Sequence, residues 1–141
     1  MIKTRPLQDG DVKTIYLNMY EDDLVDLTRG WGEHGSVQEL LEQASKGSDE
    51  CLVIVDDDEV LGMFGVWPGG RVWLVRTKSL DRAAIRFVRH GHEYIEKWLK
   101  KYGCLTGTIN SKYTKFVRWL KREGFIMNHV GMGYLRIGKW T

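Results

Sequence analysis

Apolar residues recur along this chain with two different periods, and each change of period marks an element. Ile2 to Leu7 has the character of a short strand ending near Pro6. Val12, Ile15, Tyr16 and Met19 then fall at helical spacing. Asp9 and Asp11, just before them, are residues that cap helices. Leu24, Val25 and Leu27 extend the stripe after a break at Glu21-Asp22-Asp23. RGWGEHG, Arg29–Gly35, holds three glycines and ends any helix. Ser36 and Glu39 form a capping box for a second helix, which passes through Leu40 and Leu41 and stops near Gly47.

The period then drops to two. CLVIV (Cys51–Val55) is a continuous apolar run, as in a strand buried on both faces. DDDE (Asp56–Glu59) turns the chain, VLGMFGVW (Val60–Trp67) runs back, and PGG (Pro68–Gly70) turns it again into RVWLVR (Arg71–Arg76). Turns this short predict an antiparallel meander. After Thr77-Lys78-Ser79 comes a long helix, about Leu80 to Tyr102. Its apolar face is Ala84, Phe87, Val88, Gly91, Tyr94, Ile95, Trp98 and Leu99, and Gly103 ends it. CLTGTI (Cys104–Ile109) is a further strand. Tyr113, Phe116, Val117 and Leu120 give a helix that closes at Gly124. FIMNHV (Phe125–Val130) and YLRIGKW (Tyr134–Trp140) form a last hairpin.

The predicted order is β-α-α-β-β-β-α-β-α-β-β, an α+β fold of three layers with about four helices on a mostly antiparallel sheet. The crossover from strand 71–76 through helix 80–102 to strand 104–109 adds one parallel pair. A length of 141 residues suits one domain, 1–141. A formal charge of +2 gives no bulk argument for nucleic acid, and none is expected as a partner. No apolar run reaches the roughly 18 residues of a membrane helix. The opening MIKTRPLQDGD has no signal-peptide core, so a cytoplasmic chain is expected. Cys51 and Cys104 lack metal-ligand spacing and are expected to be buried thiols, with no metal.

NSKYTKFVRWLKREGFI, Asn110–Ile126, resembles the C-terminal signature of the Gcn5-related N-acetyltransferases (GNAT). There an Asn follows the fifth strand and Gly-Phe opens the sixth; here these are Asn110, Gly124 and Phe125. The opening IKTRPLQDGDV is similar to the family's first strand and helix, and the element order matches over nearly the whole chain. The resemblance implies that acetyl-CoA is a co-substrate. Its pantetheine would lie along Trp73–Arg76, with Leu74, Val75 and Arg76 as contacts, and its pyrophosphate at Lys78–Ala83. It also implies an acceptor, a primary amine of a small molecule or a protein lysine.

The sequence departs from that pattern twice. No Arg/Gln-x-x-Gly-x-Gly/Ala loop occurs between Arg76 and Arg86, and the family's general-acid Tyr corresponds here to Leu120. Lys78, Ser79, Arg82 and Ala83 would then hold the phosphates at a helix N-terminus. The competing reading is that Asp81 caps that helix and the arginines are solvated. Asn110 is either a pantetheine contact or an Asx turn, or both. Glu33 or His34 could take the ammonium proton, or belong to a plain surface loop. Tyr113 or water would protonate the leaving thiolate. Trp73 is expected in the core, and Trp119 at a protein-partner or homodimer interface. The size, the opening and the degenerate loop also resemble short GNAT-like proteins of T7-like phages. That likeness implies an alternative role without catalysis, in virion assembly or host-protein binding.

Overall fold

The computed structural model describes residues 1–21, 23–24 and 36–141. Glu33 and His34, put forward as bases, lie outside the described residues, as does the rest of the Arg29–Gly35 loop. Among the described residues the element order is the predicted one: β1 (Ile2–Pro6), α1 (Asp11–Leu17), α2 (Val37–Lys46), β2 (Glu50–Asp56), β3 (Glu59–Trp67), β4 (Arg71–Arg76), α3 (Lys78–Tyr102), β5 (Cys104–Asn110), α4 (Thr114–Arg122), β6 (Ile126–Gly131) and β7 (Tyr134–Trp140). The strands form one sheet in the order β1-β2-β3-β4-β5-β7-β6. β4 and β5 pair in parallel, whereas β1–β2, β5–β7 and β6–β7 pair antiparallel.

The chain divides into two compact units. The first comprises Met1–Gly65 and Leu74–Arg82. Its core is Ile15, Leu41, Val53, Ile54, Leu61, Met63 and Leu80, all at most 1% exposed. β1 runs antiparallel to β2 from Ile2↔Asp56 to Pro6↔Leu52. The Ser36 hydroxyl accepts the Glu39 N–H at 3.2 Å, so the expected cap of α2 is present. The cap expected of Asp9 or Asp11 on α1 is not. Gly10 takes that position at φ 89° with no side-chain cap bond. Asp11 turns back instead, accepting two bonds from Arg5, at 2.7 and 3.0 Å, and one from the Gln8 N–H at 2.7 Å. Burial alone would raise its pKa, but Arg5 and the Gln8 N–H together hold it below its ordinary value.

The second unit comprises Val66–Trp73 and Ala83–Thr141. The face expected of α3 is the buried one: Ala84, Phe87, Gly91, Ile95 and Trp98 are buried, whereas Ile85 is 84% exposed. Phe116, Leu120, Phe125, Leu135 and Ile137 complete this core. Trp119, expected at an interface, is half-buried and packs against this core. A Cβ at Gly91 would lie 2.5 and 2.6 Å from its ring atoms. The indole also makes edge contacts with Phe87 at 6.0 Å and Phe116 at 6.3 Å. The glycine on α3 leaves the space that the tryptophan on α4 fills.

Candidate active site at the start of helix α3

β4 alternates. Trp73 and Val75 are buried, and Leu74 and Arg76 are half-buried on the other face. Trp73 is therefore a core residue, as expected, and it stacks on Trp67 at 5.8 Å. β4 pairs with β5 at one registered position, Arg71↔Thr106, against seven between β5 and β7.

Helix α3 begins at Lys78, two residues before the expected Leu80, because Thr77 caps it. The Thr77 side chain, in a residue 1% exposed, donates to the Leu61 carbonyl at 2.7 Å and accepts the Leu80 N–H at 3.4 Å. The Thr77 N–H also binds Leu61 O, at 2.9 Å, and the Lys78 N–H binds Asn18 O, at 3.1 Å. The Asp81 N–H reaches Thr77 O at 3.4 Å. Several donors expected to be bare at this helix end are therefore engaged inside the protein. The glycine that the turn lacks has a counterpart below it. At Gly62 an added Cβ would stand 2.5 Å from the Val75 carbonyl oxygen and 3.3 Å from Arg76 Cα, so only glycine lets β3 approach the junction this closely.

Asp81 does not cap α3. It accepts from Arg76 Nη1 at 2.7 Å, while Arg76 Nε binds Asp23 at 3.2 Å. With Arg76 side-chain exposure at 12% and Asp23 at 7%, this charge-assisted cluster is well sheltered. The Tyr20 ring supports it. Arg76 Cζ lies 5.1 Å and Lys78 Nζ 5.8 Å from the ring centroid, and the Tyr20 hydroxyl reaches Asp81 at 3.4 Å. Arg82 Nη2 donates to the Ser79 hydroxyl at 3.3 Å on the exposed side. The first unit thus brings Leu74, Val75, Arg76, Lys78, Ser79 and Arg82 to one junction. Tyr20, Asp23 and Thr77 join them there without having been picked out as site residues. Thr77 had a readable signal, a hydroxyl residue three positions before Leu80. Asp23 had none, because 53 residues separate it from Arg76.

In the second unit, Ala83 is buried. Asn110, 8% exposed, accepts the Lys112 N–H at 2.9 Å, which is the Asx turn. Tyr113 follows as the half-buried N-cap residue of α4, without a side-chain cap bond. Leu120 is buried packing. Among the described residues no group of three or more His, Cys, Asp or Glu could hold a metal, and no helix is long and apolar enough to cross a membrane.

No family model matches the chain, and no curated protein matches it by sequence. Solved structures do match. A ribosomal-protein-alanine N-acetyltransferase from Brucella melitensis is 16% identical at TM-score 0.67, covering 99% of this chain and 99% of its own. An acetyltransferase of the GNAT family from Bacillus anthracis is 8% identical at TM-score 0.68, covering 99% and 94%. The spermidine N-acetyltransferase of Vibrio cholerae, solved with CoA and spermine, is 14% identical at TM-score 0.63, covering 99% and 95%. With a parallel β4–β5 pair in a mostly antiparallel seven-stranded sheet, these matches establish that the chain has the fold of the Gcn5-related N-acetyltransferases.

Proposed function

We propose that this chain transfers acetyl from acetyl-CoA to a primary amine, with β4 and the start of α3 as the donor site. The observation that carries the reading is the parallel β4–β5 pair, registered at Arg71↔Thr106 at the start of β4 and at no later position before helix α3. A strand paired so briefly has backbone groups available to an extended arm, as in β-augmentation. Arg76, Lys78 and Arg82 supply cations at a helix N-terminus, which suits a pyrophosphate. Asp81 and Asp23 oppose it.

In the reaction the amine nitrogen bonds to the acetyl carbon as the carbon–sulfur bond breaks. One proton leaves the ammonium and one reaches the sulfur. In this reading β4 N–H groups around Leu74–Arg76 polarise the thioester carbonyl. Glu33 or His34 takes the ammonium proton. Tyr113, or water, protonates the thiolate, because buried Leu120 has no proton to give. The named neighbours act on spermidine and on a ribosomal-protein alanine, so a polyamine and a peptide amine are the first acceptors to try. Acetyl-CoA is an intracellular donor, so the reading implies a cytoplasmic protein.

Titration calorimetry with acetyl-CoA tests the reading, followed by detection of CoA thiol released with spermidine. The expected result is a binding isotherm and thiol release. Asp81→Asn should tighten acetyl-CoA about fivefold by removing a carboxylate from the helix N-terminus. The Asp23–Arg76–Asp81 cluster favours a second reading, a GNAT-like scaffold without catalysis that serves assembly or host-protein binding, as in the phage proteins. No heat at millimolar acetyl-CoA, for the wild type and for Asp81→Asn alike, would decide for that reading.

A further inference from the structure

The formal charge of +2 conceals an uneven distribution. The first unit holds eight Lys and Arg against sixteen Asp and Glu, a formal −8. The second holds thirteen Lys and Arg against three Glu, a formal +10. Two of those three glutamates, Glu96 and Glu123, are drawn to His92. The bulk balance therefore says nothing against a polyanionic partner for the second unit.

The excess is densest around α4. From Asn110 to Arg122 the chain carries Lys112, Lys115, Arg118, Lys121 and Arg122 and no acid, and all five are exposed. Lys115, Arg118 and Arg122 stand at i, i+3 and i+7, so they form one stripe about 10 Å long, with Lys121 beside it. Arg118, Lys121 and Arg122 make no ion pair among the described residues. This arrangement opposes the stability of the helix that carries it. Arg118 has a like charge three residues away on either side and another four residues on, and such pairs repel. Lys121 and Arg122 suit the negative end of α4, but Lys112 and Lys115 stand at its positive end, where the first turn has no acid. An external anion relieves both conflicts.

We infer that α4 docks on the phosphate backbone of a nucleic-acid duplex, without reading its sequence. The apolar side of the helix is already used, since Phe116 and Leu120 are buried. No apolar face is left to enter a lipid surface. Trp119 packs against Gly91, so α4 offers neither the aromatic anchor typical of protein interfaces nor a platform for unpaired bases. What it presents is a row of cations, in which each guanidinium can give two parallel N–H bonds to phosphate oxygens. This surface does not depend on the acetyl-transfer reading.

Fluorescence anisotropy of the full chain with a labelled DNA duplex of roughly 20 base pairs and arbitrary sequence tests this. Four phosphate contacts, from Lys115, Arg118, Lys121 and Arg122, give a slope of about −3.6 in log affinity against log salt, roughly 150-fold between about 50 and 200 mM. Arg118→Gln with Arg122→Gln should halve that slope and weaken binding at least about tenfold at low salt. It should not lower the melting temperature, because it removes like-charge pairs. Lys13→Gln with Lys46→Gln takes the same charge from exposed helix positions of the first unit and should leave the slope unchanged. No binding at low salt would overturn the proposal. So would a slope indifferent to the arginine variant, or one that the lysine variant changes equally. Polyglutamate or anionic vesicles binding as tightly as the duplex would also overturn it, assigning the surface to an acidic protein or a membrane.

Discussion

Thr77 organises the candidate site, and it does so through a single hydroxyl. That group satisfies the Leu61 carbonyl and the Leu80 N–H inside the protein. Thr77→Val keeps the shape but strands the Leu80 N–H and leaves the Leu61 carbonyl with the Thr77 N–H alone, so stability should fall by about 1–2 kcal/mol in urea unfolding. Gly62→Ala should cost more than its single methyl suggests, on the order of 2–3 kcal/mol by the same measurement. The atom it meets at 2.5 Å is a backbone carbonyl, which cannot rotate away. The competing reading of the sequence made Asp81 the cap because acids suit helix starts. It could not show that Arg76, five residues earlier, draws the Asp81 carboxylate to itself. Arg76, Lys78, Ser79 and Arg82 were legible because they are contiguous in the chain; Tyr20 and Asp23 reach them only through the fold.

Helix faces were the most legible feature, because burial follows the 3.6-residue period along α3. The packing of Trp119 was less legible. Its position beside the stripe of α4 marks an edge, and the space that accepts it belongs to Gly91 on another helix. Between these elements His92 links α3 to the end of α4. Its Nδ1 lies 2.5 Å from Glu123, and its Nε2 lies 3.1 Å from Glu96. Lys139 on β7 donates to the Glu123 carbonyl at 2.5 Å. Glu123, chiefly through its hydrogen bond, raises the His92 pKa above 6.5, with Glu96 adding to this and Lys139 opposing it. A raised folded pKa contributes stability that is fully present below the unfolded value and is lost as pH rises through the folded one. Glu123→Gln should therefore lower the His92 pKa in an NMR titration. Its stability deficit should be largest in mildly acidic buffer and shrink as pH rises past the His92 transition.

Across the molecule, the predicted strand and helix order is the one found, because each element is bounded by local turn chemistry. The position of β7 between β5 and β6 was not legible. A hairpin signal says that two strands are adjacent, not which of them a third strand joins. If acetyl-CoA is the donor, it binds the folded chain alone and should stabilise it by about 2.7 kcal/mol at a hundredfold excess over its dissociation constant. A thermal scan should show this as a rise of several degrees, on the order of 5–10 °C.

The first unit is discontinuous, since the chain leaves it after Gly65 and returns from Leu74 to Arg82. A ribosome that has released only the first 65 residues therefore holds an incomplete body, one that lacks the Thr77 clamp and the buried Leu80. The nascent chain should stay sensitive to protease until Arg82 has cleared the exit tunnel and then become protected in one step.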